Sequence, residues 1–224
     1  MIDLEPLWLT LQLAVVTTAI LFFIGIPLAN WLAYKKTKGK AIVEVLVSMP
    51  LVLPPSVIGF YLLLAFSPSQ SFGKFLETHF DIRLVFSFPG LVIASVIYSL
   101  PFMVHPIQSG FAAVPESLRE AAYSLGKTKW QTLIRVLLPN IKSSLLSAIV
   151  LTFAHTIGEF GVVLMIGGNI PGETKVASIA IFDEVESMNY ASAGTYAFIL
   201  FATSFIILLS VYLINHRLDR IKSI

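Results

Sequence analysis

The chain has 224 residues, 56% of them hydrophobic and 12% charged, with a mean hydropathy of +0.84 and a formal net charge of +2. Soluble domains carry about 25% charged residues, so this composition argues against a soluble enzyme, a nucleic-acid binder and a disordered chain, and predicts an all-α polytopic membrane protein. The absence of cysteine removes disulfides, thiolate metal sites and thiol catalysis.

The start, 1–6, is acidic where a signal peptide is basic, and the apolar stretch behind it is too long for a cleaved signal, so it reads as a retained span. Crossing a bilayer takes about 20 mostly apolar residues. Five stretches qualify: 8–34; 41–66, broken by Pro50, Pro54 and Pro55; 88–110, containing Pro101 and Pro106; 143–165; and 194–215. Together they make one transmembrane domain over 1–224. Lys35, Lys36, Lys38 and Lys40, then Arg119, Lys127, Lys129, Arg135 and Lys142, then Arg217, Arg220 and Lys222 collect on one side. The other side receives Lys74, Arg83 and Lys175 among many acids. Positive charge marks the cytoplasmic side, which places the N-terminus outside and the C-terminus in the cytoplasm.

Between the third and fourth spans, 112–140 is too patterned for a plain connector. Leu118, Ala121, Ala122, Leu125, Leu133, Ile134 and Leu137 recur at helical spacing, predicting two short amphipathic helices joined at Gly126. Periodicity alone fits an interfacial helix with snorkelling Lys and Arg equally well. The residues themselves add more. Glu120-Ala121-Ala122, three residues, Gly126, nine residues and Val136-Leu137-Leu138-Pro139 resemble the EAA signature of ABC importer permeases, E-A-A-x3-G-x9-I-x-L-P, with Val136 for Ile the one departure. That resemblance implies a type I ABC importer permease fold. It also implies a cytoplasmic coupling helix, carried by Glu120, Ala121, Ala122, Gly126, Leu138 and Pro139, that docks into a cleft of a separate ATPase. Small Ala121 and Ala122 permit close approach, Gly126 lets the backbone turn, and Glu120 offers a carboxylate to a basic partner residue.

Three further stretches resemble the molybdate branch of that family. They are the proline-rich run from Pro50 to Gly59, Gly158-Glu159-Phe160-Gly161 (shared with sulfate permeases), and Gly168-Asn169-Ile170-Pro171-Gly172-Glu173-Thr174. The resemblance implies a homodimer in the bacterial inner membrane with the pathway on its two-fold axis. It further implies an ABC ATPase dimer on the cytoplasmic face and a periplasmic oxyanion-binding protein on the outer face. The acidic segment from Gly172 to Asn189 reads as a docking surface or simply as a solvated loop.

Candidate pathway or gating residues are Pro54, Pro55, Ser56, Pro101, His155 and Glu159. Proline in a span frees carbonyl groups and bends the helix, either as a packing kink or as a deformable wall. His155 and Glu159 are one helical turn apart and share a face, as a packing pair or a gating element. Ser56, Ser99, Thr152 and Thr156 are hydroxyl donors for an oxyanion, unless each bonds the preceding turn of its own helix. His105 receives no role.

No catalytic residue, metal ligand, cofactor or nucleic-acid partner is expected. The chain has no glycine-rich phosphate loop, so ATP hydrolysis must come from a partner. The reading is a permease for molybdate working by alternating access, with sulfate, thiosulfate or tungstate as alternative cargo. A self-sufficient secondary transporter would need coupling-ion sites and usually internal repeats, and no repeat is visible. A membrane enzyme would need more chemistry than one His and one Glu.

Overall fold

The computed structural model describes residues 3–35 and 37–222, with side chains described as far as Leu213. Lys36, Arg217, Arg220 and Lys222 of the expected basic clusters therefore lie outside the described side chains. The described secondary structure is helical. The first helix, α1, runs over Glu5–Tyr34; α2, Lys40–Val52, and α3, Pro55–Phe66, follow, then α4, Ser71–Phe80, and α5, Phe88–Ala113. The segment between the third and fourth expected spans holds α6, Glu116–Ser124, then α7, Lys129–Thr132, which continues through a π-helical turn, Leu133–Leu137, into α8, Leu138–Asn140. The remaining helices are α9, Lys142–Gly158, α10, Gly161–Gly167, α11, Ala177–Glu186, and α12, Tyr190–Lys222.

Three helices, α1, α5 and α12 as far as Leu213, are each long and apolar enough to cross a membrane. The expected second span is a bent pair: α2 and α3 meet at 114° across Leu53 and Pro54. Pro54 and Pro55 lack the N–H groups that would continue α2, so the chain leaves the helix at Leu53 and restarts with Pro55 in the first turn of α3. By contrast α5 carries Pro101 and Pro106 without a break. It is packed between α1 and α9, which hold its course where two intrahelical bonds are missing.

The expected fourth span is also interrupted, at Glu159 and Phe160 between α9 and α10. This corrects the reading of His155 and Glu159 as neighbours on one helical face. The helix ends at Gly158, and Glu159 is extended, with φ −72° and ψ 133°. The segment after α10 is a helix, α11, packed on α12, rather than an acidic loop throughout.

Apolar packing falls into two clusters. One joins Leu9, Leu13, Leu91, Tyr98, Val162 and Ile166; the other joins Leu21, Leu32, Met103, Ile107, Phe111 and Leu137. Between them in sequence on α1, α5 and α9 lie the buried hydroxyls of Thr17, Thr18, Ser99, Thr152 and Thr156. Of these, Ser99 on α5 bonds across to His155 and Thr156 on α9, whereas the hydroxyls of Thr17, Thr18 and Thr152 are buried without a hydrogen-bond partner among the described residues.

Candidate functional site: apposed helix breaks and an exposed cytoplasmic corner

The two broken spans place their breaks against each other. A side chain at Gly161, the first residue of α10, would lie 2.7 Å from Pro55 Cβ, so only glycine lets α10 approach the start of α3 this closely. Glu159 is 8% exposed, and its Oε1 accepts a hydrogen bond of 2.8 Å from the Val162 N–H. That carboxylate therefore caps the otherwise unpaired N–H groups at the start of α10. The Ser178 hydroxyl on α11 donates to the Glu159 carbonyl at 2.7 Å, tying the break to the outer helices.

His155 engages a different partner. Its Nδ1 lies 3.0 Å from Ser99 Oγ on α5, and its ring stacks on Phe102 at 3.9 Å between centroids. Donor counting fixes the chain of bonds. Thr156 spends its one proton on the Thr152 carbonyl at 2.9 Å, so Ser99, 3.2 Å away, must donate to Thr156. Ser99 then has no proton left, and His155 Nδ1 must donate to Ser99. Thr156 thus bonds the preceding turn of its own helix, whereas Ser99 bonds across.

The sequence-derived pathway residues fall into three groups. Pro55 and Glu159 flank the apposed breaks; His155 joins α9 to α5; Pro101 is buried inside α5, two residues beyond Ser99. Pro54 and Ser56 are exposed at the α2–α3 bend.

A polar cluster at the inner end of α2 was not anticipated. Glu44 accepts from Gln108 Nε2 at 3.0 Å and pairs with Lys40 Nζ at 3.5 Å. Ser48 donates to the Glu44 carbonyl at 2.8 Å, which leaves His105 Nε2 as the donor in the 3.2 Å contact to Ser48. Glu44 stands four residues after Lys40 at the edge of the second apolar stretch; that charge pair at helical spacing was the available signal.

The corner at Gly126 has a local explanation for each turn. Pro115 precedes α6 in an extended conformation, and Glu116 follows at its positive end. Gly126 has φ +74°, its N–H bonds the Tyr123 carbonyl at 2.9 Å, and the Lys127 N–H bonds the Ala122 carbonyl at 3.0 Å. These two bonds and a left-handed glycine form a Schellman ending. A Cβ at Gly126 would meet nothing within 4 Å, so backbone conformation alone selects glycine there. Thr128 and Gln131 then form a capping box that starts α7. Pro139 lies inside α8 rather than closing the segment, and the Leu138 N–H reaches the Leu133 carbonyl in the widened turn before it. Asn140 Nδ2 donates to the Val136 carbonyl at 2.7 Å.

The amphipathic face is only partly covered. Ala122, Leu133 and Leu137 are buried, whereas Leu125 is 78% and Trp130 66% exposed. Glu120 and Ala121 are exposed as well, and Glu120 makes no ion pair among the described residues. The outer acidic segment is less open: Asp183 accepts from Asn169 Nδ2 at 2.7 and 2.8 Å and pairs with Lys175. Among the described residues no cluster of His, Asp and Glu could hold a metal ion.

Comparison with known proteins bears on both regions. Residues 22–220 match the family described as binding-protein-dependent transport system inner membrane component. The molybdenum transport system permease protein ModB of Azotobacter vinelandii is 45% identical over 210 residues, covering 94% of this chain and 93% of that protein. The sulfate transport system permease protein CysT of Escherichia coli K12 is 32% identical over 196 residues, covering 88% of this chain and 70% of that one. A bacterial ABC transporter that imports the acidic polysaccharide alginate has a similar fold, with a TM-score of 0.79, 18% identity, and coverage of 96% of this chain and 79% of that one. The inward-facing MetNI methionine ABC transporter has a TM-score of 0.74 at 17% identity, covering 96% and 94%.

Proposed function

The chain belongs to the family of binding-protein-dependent transport system inner membrane components, and from that premise we propose that it is the permease subunit through which an ABC importer carries molybdate across the inner membrane. Members of this family are the membrane-embedded subunits of ABC transporters, and the chain carries no phosphate-binding loop of its own. An ABC ATPase dimer on the cytoplasmic face drives it, and a periplasmic oxyanion-binding protein delivers the cargo.

The observation that carries this reading is the exposed corner built by Glu120, Ala121, Gly126 and the apolar Leu125 and Trp130. An apolar patch rimmed by charge marks a protein contact, and this one coincides with the EAA-like residues. Glu120 supplies the charge, Ala121 and Ala122 the close approach, and Leu138 and Pro139 the return to the membrane. The pathway then runs along the apposed breaks of α2–α3 and α9–α10. The exposed apolar residues of that wall, Leu46, Val52, Phe60 and Tyr61, support closure by a second copy across a two-fold axis. No Lys or Arg lies within the expected spans, which suits a pathway that must release a dianion quickly.

Counting α2 with α3, and the Lys129–Asn140 segment with α9, as one crossing each supports up to five spans; the Lys and Arg distribution supports an N-terminus outside and a C-terminus in the cytoplasm. Single cysteines at Asp3 and Ser223 of this cysteine-free chain should label from opposite sides of sealed vesicles; labelling from one side removes the five-span topology. For the cargo, a permease-deletion strain carrying this chain should accumulate labelled molybdate, with little competition from excess sulfate. Equal uptake of sulfate would assign the chain to the sulfate branch instead.

A further inference from the structure

One aromatic ring joins three helices at the cytoplasmic end of the bundle. Tyr34 is the last residue of α1, and its hydroxyl donates to the Phe111 carbonyl in the last turn of α5 at 2.9 Å. The guanidinium of Arg119, on α6, sits over the face of the same ring, 4.4 Å from its centroid. Glu116, one turn earlier on α6, pairs with Arg119 from the outer side. Arg119 is thereby held between a carboxylate and a ring face, with 21% of its side chain exposed. Phe111, whose ring lies 6.0 Å from that of Tyr34, is fully buried.

This contact decides how α6 is rotated. Arg119 and Ala122 are three residues apart and share one face; both turn toward the bundle, one through its cation and the other through its 5% exposure. Glu120 and Ala121, between them in sequence, turn outward. A rotation of α6 by one residue would bury Glu120 and expose Ala122. Nothing else in α6 is large enough and inward-facing enough to set the angle: Leu118 and Tyr123 are exposed. On the other side of Gly126 the segment continues into α9 through the widened turn before Pro139. The corner is joined to α5 through Val114 and Pro115, and its Leu133 and Leu137 pack in the apolar cluster around Phe111; Tyr34 adds a side-chain tie from α6 itself to α1 and α5.

We infer that Tyr34 and Arg119 are positioning residues for energy coupling: they lock α6 to the α1–α5 body, so that displacement of the docked corner moves that body and not the corner alone. The inference rests on the docking role proposed above for the cytoplasmic corner. A cation over a partly desolvated ring favours the packed arrangement of the two elements by about fivefold, and its loss leaves the corner intact because Gly126 and the Thr128 capping box are local.

The test uses the whole transporter, permease with ATPase and binding protein, in proteoliposomes, reading molybdate delivered per ATP hydrolysed. Arg119→Gln and Tyr34→Leu should lower that ratio about fivefold, while the ATPase still co-purifies. Tyr34→Phe keeps the ring face and Arg119→Lys keeps the cation, so both should stay within about twofold of the starting ratio. A purely structural role would lower ATPase recovery and transport together and would not distinguish Gln from Lys. An unchanged ratio in Arg119→Gln overturns the inference, and this variant remains informative if Tyr34→Leu inserts poorly. Glu120→Arg separates the two levels. Inactivity of Glu120→Arg with normal Arg119→Gln removes the junction alone, and full activity of Glu120→Arg removes the docking role beneath it.

Discussion

The cytoplasmic corner and the apposed helix breaks are both interruptions of helical structure, yet they are built by different forces. At the corner every turn is explained within a few residues: Pro115 before α6, the Schellman ending at Gly126, and the Thr128–Gln131 capping box before α7. Its side chains mostly face outward, and its apolar Leu125 and Trp130 are uncovered. At the breaks the local signals, Pro54–Pro55 and the Glu159 cap on Val162, are joined by contacts from other helices. Pro55 packs on Gly161, Ser178 reaches Glu159, and Ser99 reaches His155. A region specified locally can keep its shape while leaving a surface for a partner. A region specified by neighbours holds its shape only while the bundle is assembled.

That contrast predicts which readout each substitution moves. Reversing Glu120 to Arg should have the largest effect, cutting uptake by more than about tenfold, because an unmatched charge at a docking contact costs several kcal/mol. Thermal unfolding of the detergent-solubilised permease should be unchanged. Co-purification with the ATPase at full uptake would show that the corner is not the docking site.

Gly126→Val comes next. Forcing a β-branched residue to φ +74° costs about 1–2 kcal/mol, and no contact within 4 Å adds to it. Uptake should fall several-fold, with Gly126→Asn closest to the parent because asparagine tolerates the left-handed region. Gly126→Ala should fall between them. Equal uptake by all three would mean that corner geometry does not govern coupling.

At the breaks the order of readouts reverses. Glu159→Ala leaves the Val162 N–H buried without its acceptor, a loss of about 1–3 kcal/mol, and should lower the unfolding temperature. Glu159→Gln keeps an acceptor oxygen and should recover most of that loss. Identical unfolding curves for Ala and Gln would show that the cap contributes nothing.

Ser99→Ala should be the mildest. Interhelical hydrogen bonds of this kind average about 0.6 kcal/mol in membranes, so a small drop in unfolding temperature is expected, with uptake retained. A large uptake loss at normal stability would instead move the His155–Ser99–Thr156 relay into the transport pathway itself.

What could be read from the chain alone follows the same division. Composition and apolar length identified a helical membrane protein, because the cost of unsatisfied backbone in lipid leaves few alternatives. The Gly126 corner was legible because a glycine requirement arises within one turn, from bonds spanning at most five residues. Proline positions marked weak points without saying which would break. α5 runs through Pro101 and Pro106 because α1 and α9 clasp it, whereas α2 stops at the Leu53–Pro54 junction. The pairing of His155 with Glu159 assumed a continuous helix, whereas the helix ends at Gly158, Glu159 caps the Val162 N–H and His155 turns to Ser99 on α5. Lys40 and Glu44 are paired at helical spacing, but the bond from Gln108 to Glu44 across 64 positions of sequence forms only once α2 and α5 have packed. Local backbone chemistry is written in spacing; a hydrogen bond between distant helices exists only once both have packed at a common depth.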